Sequence, residues 1–303
     1  MAGKLYRDYN SYLRETFGCR VQKISLDAGL SCPNRDGTVG FGGCIYCNSK
    51  GSGTGAAHFA GISEQIGTGK KRLARKYGAK KFIGYFQSFS NTYAPLPGLA
   101  ALYEEALADP DVVGLSIGTR PDCVSDEILD HLAMLSKSHL IWLELGLQSA
   151  KDKTLDLIRR GHSAAAFTDA VKRSRARNIP VCAHVILGLP GENMDDMLYT
   201  AKFLALLDIQ AVKLHLLYVI RGTALAQMYD CGAYACLSRE DYVAAAGEFL
   251  ALLPPHIIVQ RLTGDPHPED LVSPIWSLDK QRNLEAVRAY MEKNRLHQGK
   301  NYR

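Results

Sequence analysis

The chain has 303 residues, 47% of them hydrophobic, with 36 Lys and Arg against 31 Asp and Glu for a net charge of +5. It can bury a large core as one domain or two smaller ones, and no stretch reaches the apolar length of a bilayer span. Eight cysteines without a secretion signal argue against a disulfide scaffold and for a reducing cytoplasm.

The first segment, MAGKLYRDYNSYLRETFG, lacks an apolar signal core and reads as an amphipathic helix within residues 1–20. A strand-like run, Val21–Leu26, leads into SCPNRDGTVGFGGCIYCNSK, which carries Cys32, Cys44 and Cys47. A structural zinc ion takes four protein ligands, whereas a [4Fe–4S] cube is held by thiolates, one per iron. Three cysteines in one loop therefore suit a cube with one iron left open. The glycines between them let the backbone wrap a bulky group closely. A zinc loop completed by Cys19 or His58 is the alternative.

Beyond this loop, strand-like runs at Lys81–Gln87, Val112–Ile117, Leu140–Leu147, Pro180–Leu187 and Ala211–Leu217 alternate with helical patterns at Glu64–Tyr77, Leu96–Ala108, Asp126–Ser136, Ala164–Asn178 and Met194–Leu207. Six short apolar strands alternating with helices predict an α/β fold of parallel βαβ units, an open sheet or a partial barrel. In both, the site belongs at the carboxyl ends of the strands, and Cys32 follows such an end. After Arg221 the rhythm changes. Helices at Ser238–Leu252 and Leu278–Leu296 flank a strand-like His256–Leu262, and Thr263–Pro274 reads as a loop. The expected division is an N-terminal helix (1–20), a barrel (21–225) and a helical C-terminal extension packed on it (226–303).

The strand ends carry a series of polar groups: Gln87 and Ser88; Thr119 and Arg120; Glu144 and Gln148; His184 and Gly188; Lys213, His215 and Tyr218. Singly, each reads as a satisfied core residue. An ionised Glu144 among Leu143, Leu145 and Leu147, however, needs a compensating partner, and recurrence at five successive strand ends points to a shared ligand site. Seven basic residues between Lys70 and Lys81, without an acidic one, read either as a nucleic-acid footprint or as a solvated helix face. Lys172, Arg173, Arg175 and Arg177 form a second such group, and Lys293, Arg295, Lys300 and Arg303 a third.

The cysteine loop and strand ends together resemble the radical S-adenosylmethionine superfamily. The usual Cys-x3-Cys-x2-Cys signature is here Cys32-x11-Cys44-x2-Cys47, a long first spacing found in the branch that includes the catalytic subunit of Elongator. The runs SIGTRPD, LELGLQS and HVILGLPGE look like that branch. LDAGLSCPNRDGTVGFGGCIYC, YFQSFSNTYAP, KLHLLYVIRGT and RLTGD resemble the small bacterial YtqA/YhcC family over nearly the whole chain. The resemblance implies a partial (β/α)6 barrel in which Cys32, Cys44 and Cys47 ligate three irons and S-adenosylmethionine takes the fourth. It places Tyr46, Gln87, Ser88, Thr119, Glu144, Gln148, Gly188 and Tyr218 around that cofactor. His184, Lys213 and His215 are the residues to test for catalysis. The implied chemistry is generation of a 5′-deoxyadenosyl radical; the implied substrate is tRNA wobble uridine, with carboxymethylaminomethyl converted to aminomethyl at C5. The implied partners are tRNA and an electron donor such as flavodoxin or ferredoxin. A radical enzyme for a small metabolite and a zinc-stabilised RNA-binding module without catalysis are the competing readings.

Overall fold

The computed structural model describes residues 4–48, 51 and 60–302. His58, Arg303 and residues 52–55 of the glycine-rich stretch lie outside them. Asp8 caps helix α1 (Tyr9–Phe17) by accepting from the Ser11 amide, and Gly18 ends it in the left-handed conformation at φ 67°. Strand β1 (Val21–Leu26) then opens an alternating run: α2 (Ile62–Tyr77), β2 (Lys81–Phe86), α3 (Leu96–Leu107), β3 (Val112–Thr119), α4 (Asp126–Leu135) and β4 (Leu140–Gln148). It continues with α5 (Asp152–Leu157), α6 (Ala164–Ala176), β5 (Val181–Leu187), α7 (Met194–Ala205) and β6 (Ala211–Leu216). The rest is β7 (Val219–Ile220), α8 (Ala224–Asp230), α9 (Arg239–Leu252), β8 (Ile258–Arg261), β9 (Leu271–Ser273) and α10 (Lys280–Lys293).

Seven strands form one parallel half-barrel sheet in the order β1-β2-β3-β4-β5-β6-β8. Six were expected. The seventh comes from the C-terminal extension, where the Ile258 amide donates to the Gln210 carbonyl at 2.9 Å and continues the ladder beyond β6. The extension is therefore not helical alone. The stretch read as a loop also supplies β9, which pairs antiparallel with β7.

Strand periodicity separates two faces. On β4, Leu143, Leu145 and Leu147 pack outward into the helical layer with Phe167, Val185 and Leu204. Trp142, Glu144, Gly146 and Gln148 alternate with them and face the concave side. Aromatic rings plug the base of the barrel: Trp142 meets Tyr9 and Tyr12 of α1 edge to face, with centroids at 6.0 and 5.9 Å. Such pairs add about 0.5–1.5 kcal/mol each beyond their buried area. Leu13 of the same helix packs on Val21 and Ile83, so the N-terminal helix closes the barrel opposite the cysteine loop.

Candidate active site

Cys32, Cys44 and Cys47 line one cavity of about 460 Å³ at the carboxyl ends of the strands. Gly43, at φ 83°, turns the chain into Cys44, and a side chain there would crowd Arg35. Asn34 and Arg160 donate to the Cys44 sulfur at 3.5 and 3.6 Å, and Arg35 donates to that of Cys47 at 3.5 Å. Burial and neighbouring Cys44 push the Cys47 thiol up to about 11, against which Arg35 pulls it down. Donors and positive charge aimed at sulfur suit a group held by three thiolates. Among the described residues no three His, Cys, Asp or Glu side chains close on a single metal ion. Cys19 packs against the cluster of Leu13, Val21 and Ile83 at the amino end of β1, whereas the cysteine loop follows its carboxyl end, so a zinc site completed by Cys19 is overturned.

Below the cysteines, Glu144 is fully buried with both carboxylate oxygens engaged. Lys23 Nζ donates to Oε1 at 2.5 Å, His184 Nε2 lies 2.8 Å from Oε2, and Lys213 Nζ donates to Oε2. Burial alone would raise the carboxyl; Lys213 and Lys23 instead hold it well below the usual range. Lys213 also donates to the Tyr85 hydroxyl at 3.1 Å and lies over its ring. Lys23 reaches Gln260 at 2.8 Å and is lowered to about 8, chiefly by burial. Burial and Lys213 lower His184 to about 4, which leaves it a neutral imidazole.

Of the expected residues, Tyr46, Gln87, Thr119, Glu144, Gln148, His184, His215 and Tyr218 line the cavity with the cysteines. A register shift at the end of β4 and a φ of 73° turn Gln148 inward. Thr119 is tied through its hydroxyl to Thr92 at 2.6 Å. Ser88, Gly188 and Lys213 do not line it. Ser88 is buried at a strand end where Phe89 takes a φ of 61°, and its neighbours Gln87, Phe89 and Ser90 line the cavity. Gly188 packs on Leu237 and its carbonyl accepts from Tyr234 at 2.9 Å. Lys213 sits beneath the floor, its ammonium spent on Glu144 and Tyr85. Glu144 lines the cavity and is held there by the two lysines and His184.

Sequence reasoning missed Arg35, Arg160, Lys23 and Arg261. Arg160 is 8% exposed and ties the Gly146 carbonyl (3.0 Å) and His162 (2.8 Å) to Cys44. A side chain at Gly146 would stand 2.4 Å from this guanidinium, a close approach that required glycine. Tyr218 likewise requires Gly264, where a Cβ would lie 2.5 Å from its ring.

The basic clusters also divide. Arg173, Arg175 and Arg177 pair with Asp126, Asp169, Asp130 and Asp208 and form a neutralised face. Lys70 is held by Asp109 and Asp111. Lys71, Arg72, Arg75 and Lys76 remain exposed on α2.

A parallel half-barrel with three cysteines at its mouth defines a class of enzyme, and comparison with known proteins gives the same class. The family model "Radical SAM superfamily" matches residues 35–204, and "Radical_SAM C-terminal domain" matches residues 209–293. The chain is 43% identical over 298 residues to the uncharacterized protein YtqA of Bacillus subtilis, covering 98% of this chain and 92% of that one. It is 35% identical over 292 residues to YhcC of Escherichia coli K12, covering 96% and 94%. A tRNA uridine(34) acetyltransferase of Methanocaldococcus infernus is 28% identical over 190 residues, which is 61% of this chain and 34% of that protein. The solved structure of the archaeal Methanocaldococcus infernus Elp3, lacking its N-terminus, shares the fold, with a TM-score of 0.69 at 19% identity. It covers 92% of this chain, which spans 64% of that one. The chain belongs to the radical S-adenosylmethionine superfamily and, within it, to the family of YtqA and YhcC. It is a radical enzyme whose cofactors are a [4Fe–4S] cluster and S-adenosylmethionine. Among the described residues no helix is long and apolar enough to cross a membrane.

Proposed function

We propose that this enzyme acts on a wobble uridine of tRNA and converts a carboxymethylaminomethyl group at C5 to aminomethyl. One observation carries the reading: below the cysteine loop two lysines, Lys23 and Lys213, share one buried carboxylate, Glu144, and Arg261 lines the same cavity beside His215. That surplus of positive charge suits a substrate that brings its own anion. The exposed basic face of α2 supports a polyanionic carrier of that group, as does the likeness to the tRNA uridine(34) acetyltransferase of Methanocaldococcus infernus.

The methylene of this group lies between an amine and a carboxylate, so its C–H bond is the weakest in the modified base. The substrate gives up one hydrogen atom and one electron there, and water splits the resulting iminium into glyoxylate and the aminomethyl nucleoside. When bound, the cluster and S-adenosylmethionine would supply the acceptor for that hydrogen atom and that electron, with methionine and 5′-deoxyadenosine as the products. This chain's residues hold and orient. Arg35, Arg160 and Asn34 would hold the thiolates, Gln87 and Gln148 would orient the cofactor, and His184 and His215 form the wall against which the methylene is positioned. The setting is the cytoplasm, with a small carrier such as flavodoxin or ferredoxin as electron donor.

The test combines nucleoside mass spectrometry of tRNA from a strain lacking the gene with an anaerobic assay of the cluster-loaded enzyme. Equal amounts of 5′-deoxyadenosine, glyoxylate and aminomethyluridine are expected. Formation of 5′-deoxyadenosine only when a small metabolite replaces tRNA would overturn the substrate.

A further inference from the structure

Arg261, at the end of β8, and His215, on β6, both line the cavity, with Nη1 of the arginine 3.4 Å from Nδ1 of the imidazole. The guanidinium pairs with no carboxylate among the described residues, whereas Arg120, elsewhere on the cavity lining, is bound by Asp122 at 2.7 and 2.9 Å. The one acid beside it on the rim whose partner is defined, Asp265, is paired with Lys280 at 2.8 Å. His215 adds a second opening. Its Nδ1 receives the arginine, so the ring proton sits on Nε2, and that buried nitrogen has no hydrogen-bond partner. Burial and the charge of Arg261 keep the imidazole neutral, so it donates without adding charge. An unmet guanidinium edge and an unmet N–H, on adjacent strands that line one cavity, are two donors with one net positive charge, the complement of a carboxylate. A phosphate dianion would need more charge than this wall provides.

We propose that Arg261 and His215 form a carboxylate-binding subsite that takes the acid group of the substrate and so sets which methylene faces the cofactor. The assignment deepens the proposed reading and rests on it for the identity of the acid. The other carboxylate entering this cavity belongs to S-adenosylmethionine. The cations beside the cysteine sulfurs are Arg35 and Arg160, whereas Arg261 stands against His215 on another wall.

The experiment uses anaerobic, cluster-loaded wild-type enzyme, Arg261→Gln and Arg261→Lys, with iron content and thermal midpoint confirming that each variant is folded and loaded. Binding of the free nucleosides 5-carboxymethylaminomethyluridine and 5-aminomethyluridine is followed by ligand-observed NMR, S-adenosylmethionine affinity by calorimetry, and turnover on modified tRNA by mass spectrometry. The wild type is expected to favour the carboxylate-bearing nucleoside by about ten- to hundredfold, the worth of one charge-assisted hydrogen-bonded contact. Arg261→Gln should abolish that preference and leave S-adenosylmethionine affinity unchanged; Arg261→Lys should retain part of it. A preference that survives in Arg261→Gln, or is absent from the wild type, overturns the subsite. Weakened S-adenosylmethionine binding assigns Arg261 to the cofactor and overturns it equally. Turnover of modified tRNA reports separately on the substrate reading: a carboxylate preference without turnover sinks that reading and leaves the subsite standing.

Discussion

Lys23 on the first strand and Gln260 on the last touch across the open seam of the sheet, Nζ to Oε1 at 2.8 Å. The two edge strands are not hydrogen-bonded to each other, yet their side chains meet over a shared carboxylate, since the same Lys23 also binds Glu144 at 2.5 Å. The polar floor is thus the element that draws the two edges of the half-barrel together.

The charges on that floor are unequal, two lysines to one glutamate, and the two sides should respond differently to mutation. Glu144→Gln leaves two buried cations without a counter-charge and should cost on the order of 3–5 kcal/mol. Lys23→Met leaves Lys213 to balance Glu144 and removes a group whose charged form burial disfavours, so it should cost far less. Thermal unfolding midpoints of the two anaerobic variants decide this; a larger loss for Lys23→Met would reverse the assignment of Glu144 as keystone.

Acid should destabilise the fold through His184. The unfolded imidazole takes up its proton near 6.5 and the folded one only near 4, so the unfolded state binds more protons between those values. Stability from this residue is complete above pH 6.5 and lost as pH falls toward 4, by about 3 kcal/mol at most. His162, lowered to about 2 by burial and Arg160, acts with the same sign. His184→Gln should therefore shallow the acid limb of a midpoint-versus-pH curve without flattening it, and an unaltered limb would refute the assignment.

Replacing Cys32, Cys44 or Cys47 by Ala should remove iron and sulfide, whereas Cys231→Ala, on the exposed surface beyond α8, should retain both. Arg160→Gln withdraws a positive charge that donates to Cys44 at 3.6 Å. It should leave the cluster bound and move its reduction potential to more negative values, read in an EPR-monitored redox titration. An unshifted potential would make Arg160 a purely structural tie.

If α2 meets RNA, neutralising Lys71, Arg72, Arg75 and Lys76 should weaken tRNA binding and lower the slope of log K against log salt by about 0.7–0.9 per lost phosphate contact. The matching change at Arg173, Arg175 and Arg177, already paired with aspartates, should leave the slope alone. Equal effects at the two faces would mean that neither is the footprint.

The parallel sheet was legible because strands covered on both faces read as short apolar runs between helical patterns, and the cysteine loop because its ligands are close in sequence. Ser88 does not line the cavity, and alternation accounts for this, since Tyr85, Gln87 and Phe89 on either side of it do. Arg160 was invisible because it lies 116 residues from Cys44, and Lys23 because it lies 121 from Glu144. No local pattern encodes such distances. The basic runs could not be told apart in the sequence for a related reason: charge counted along the chain does not reveal the aspartates that α4, α6 and the turn before β6 bring to Arg173, Arg175 and Arg177.

The helix that plugs the base of the barrel also sets the order in which the enzyme can be completed. Asp8 bridges to Val259, and Lys23 to Gln260, so both closures wait for a strand synthesised near the end of the chain. The cysteine loop is made long before either forms. During synthesis the chamber around it has an open side and a missing floor contact, and only the arrival of β8 shuts it. A ribosome that stops short of Ile258 therefore releases a vessel without its last stave, with the lysine floor open to water.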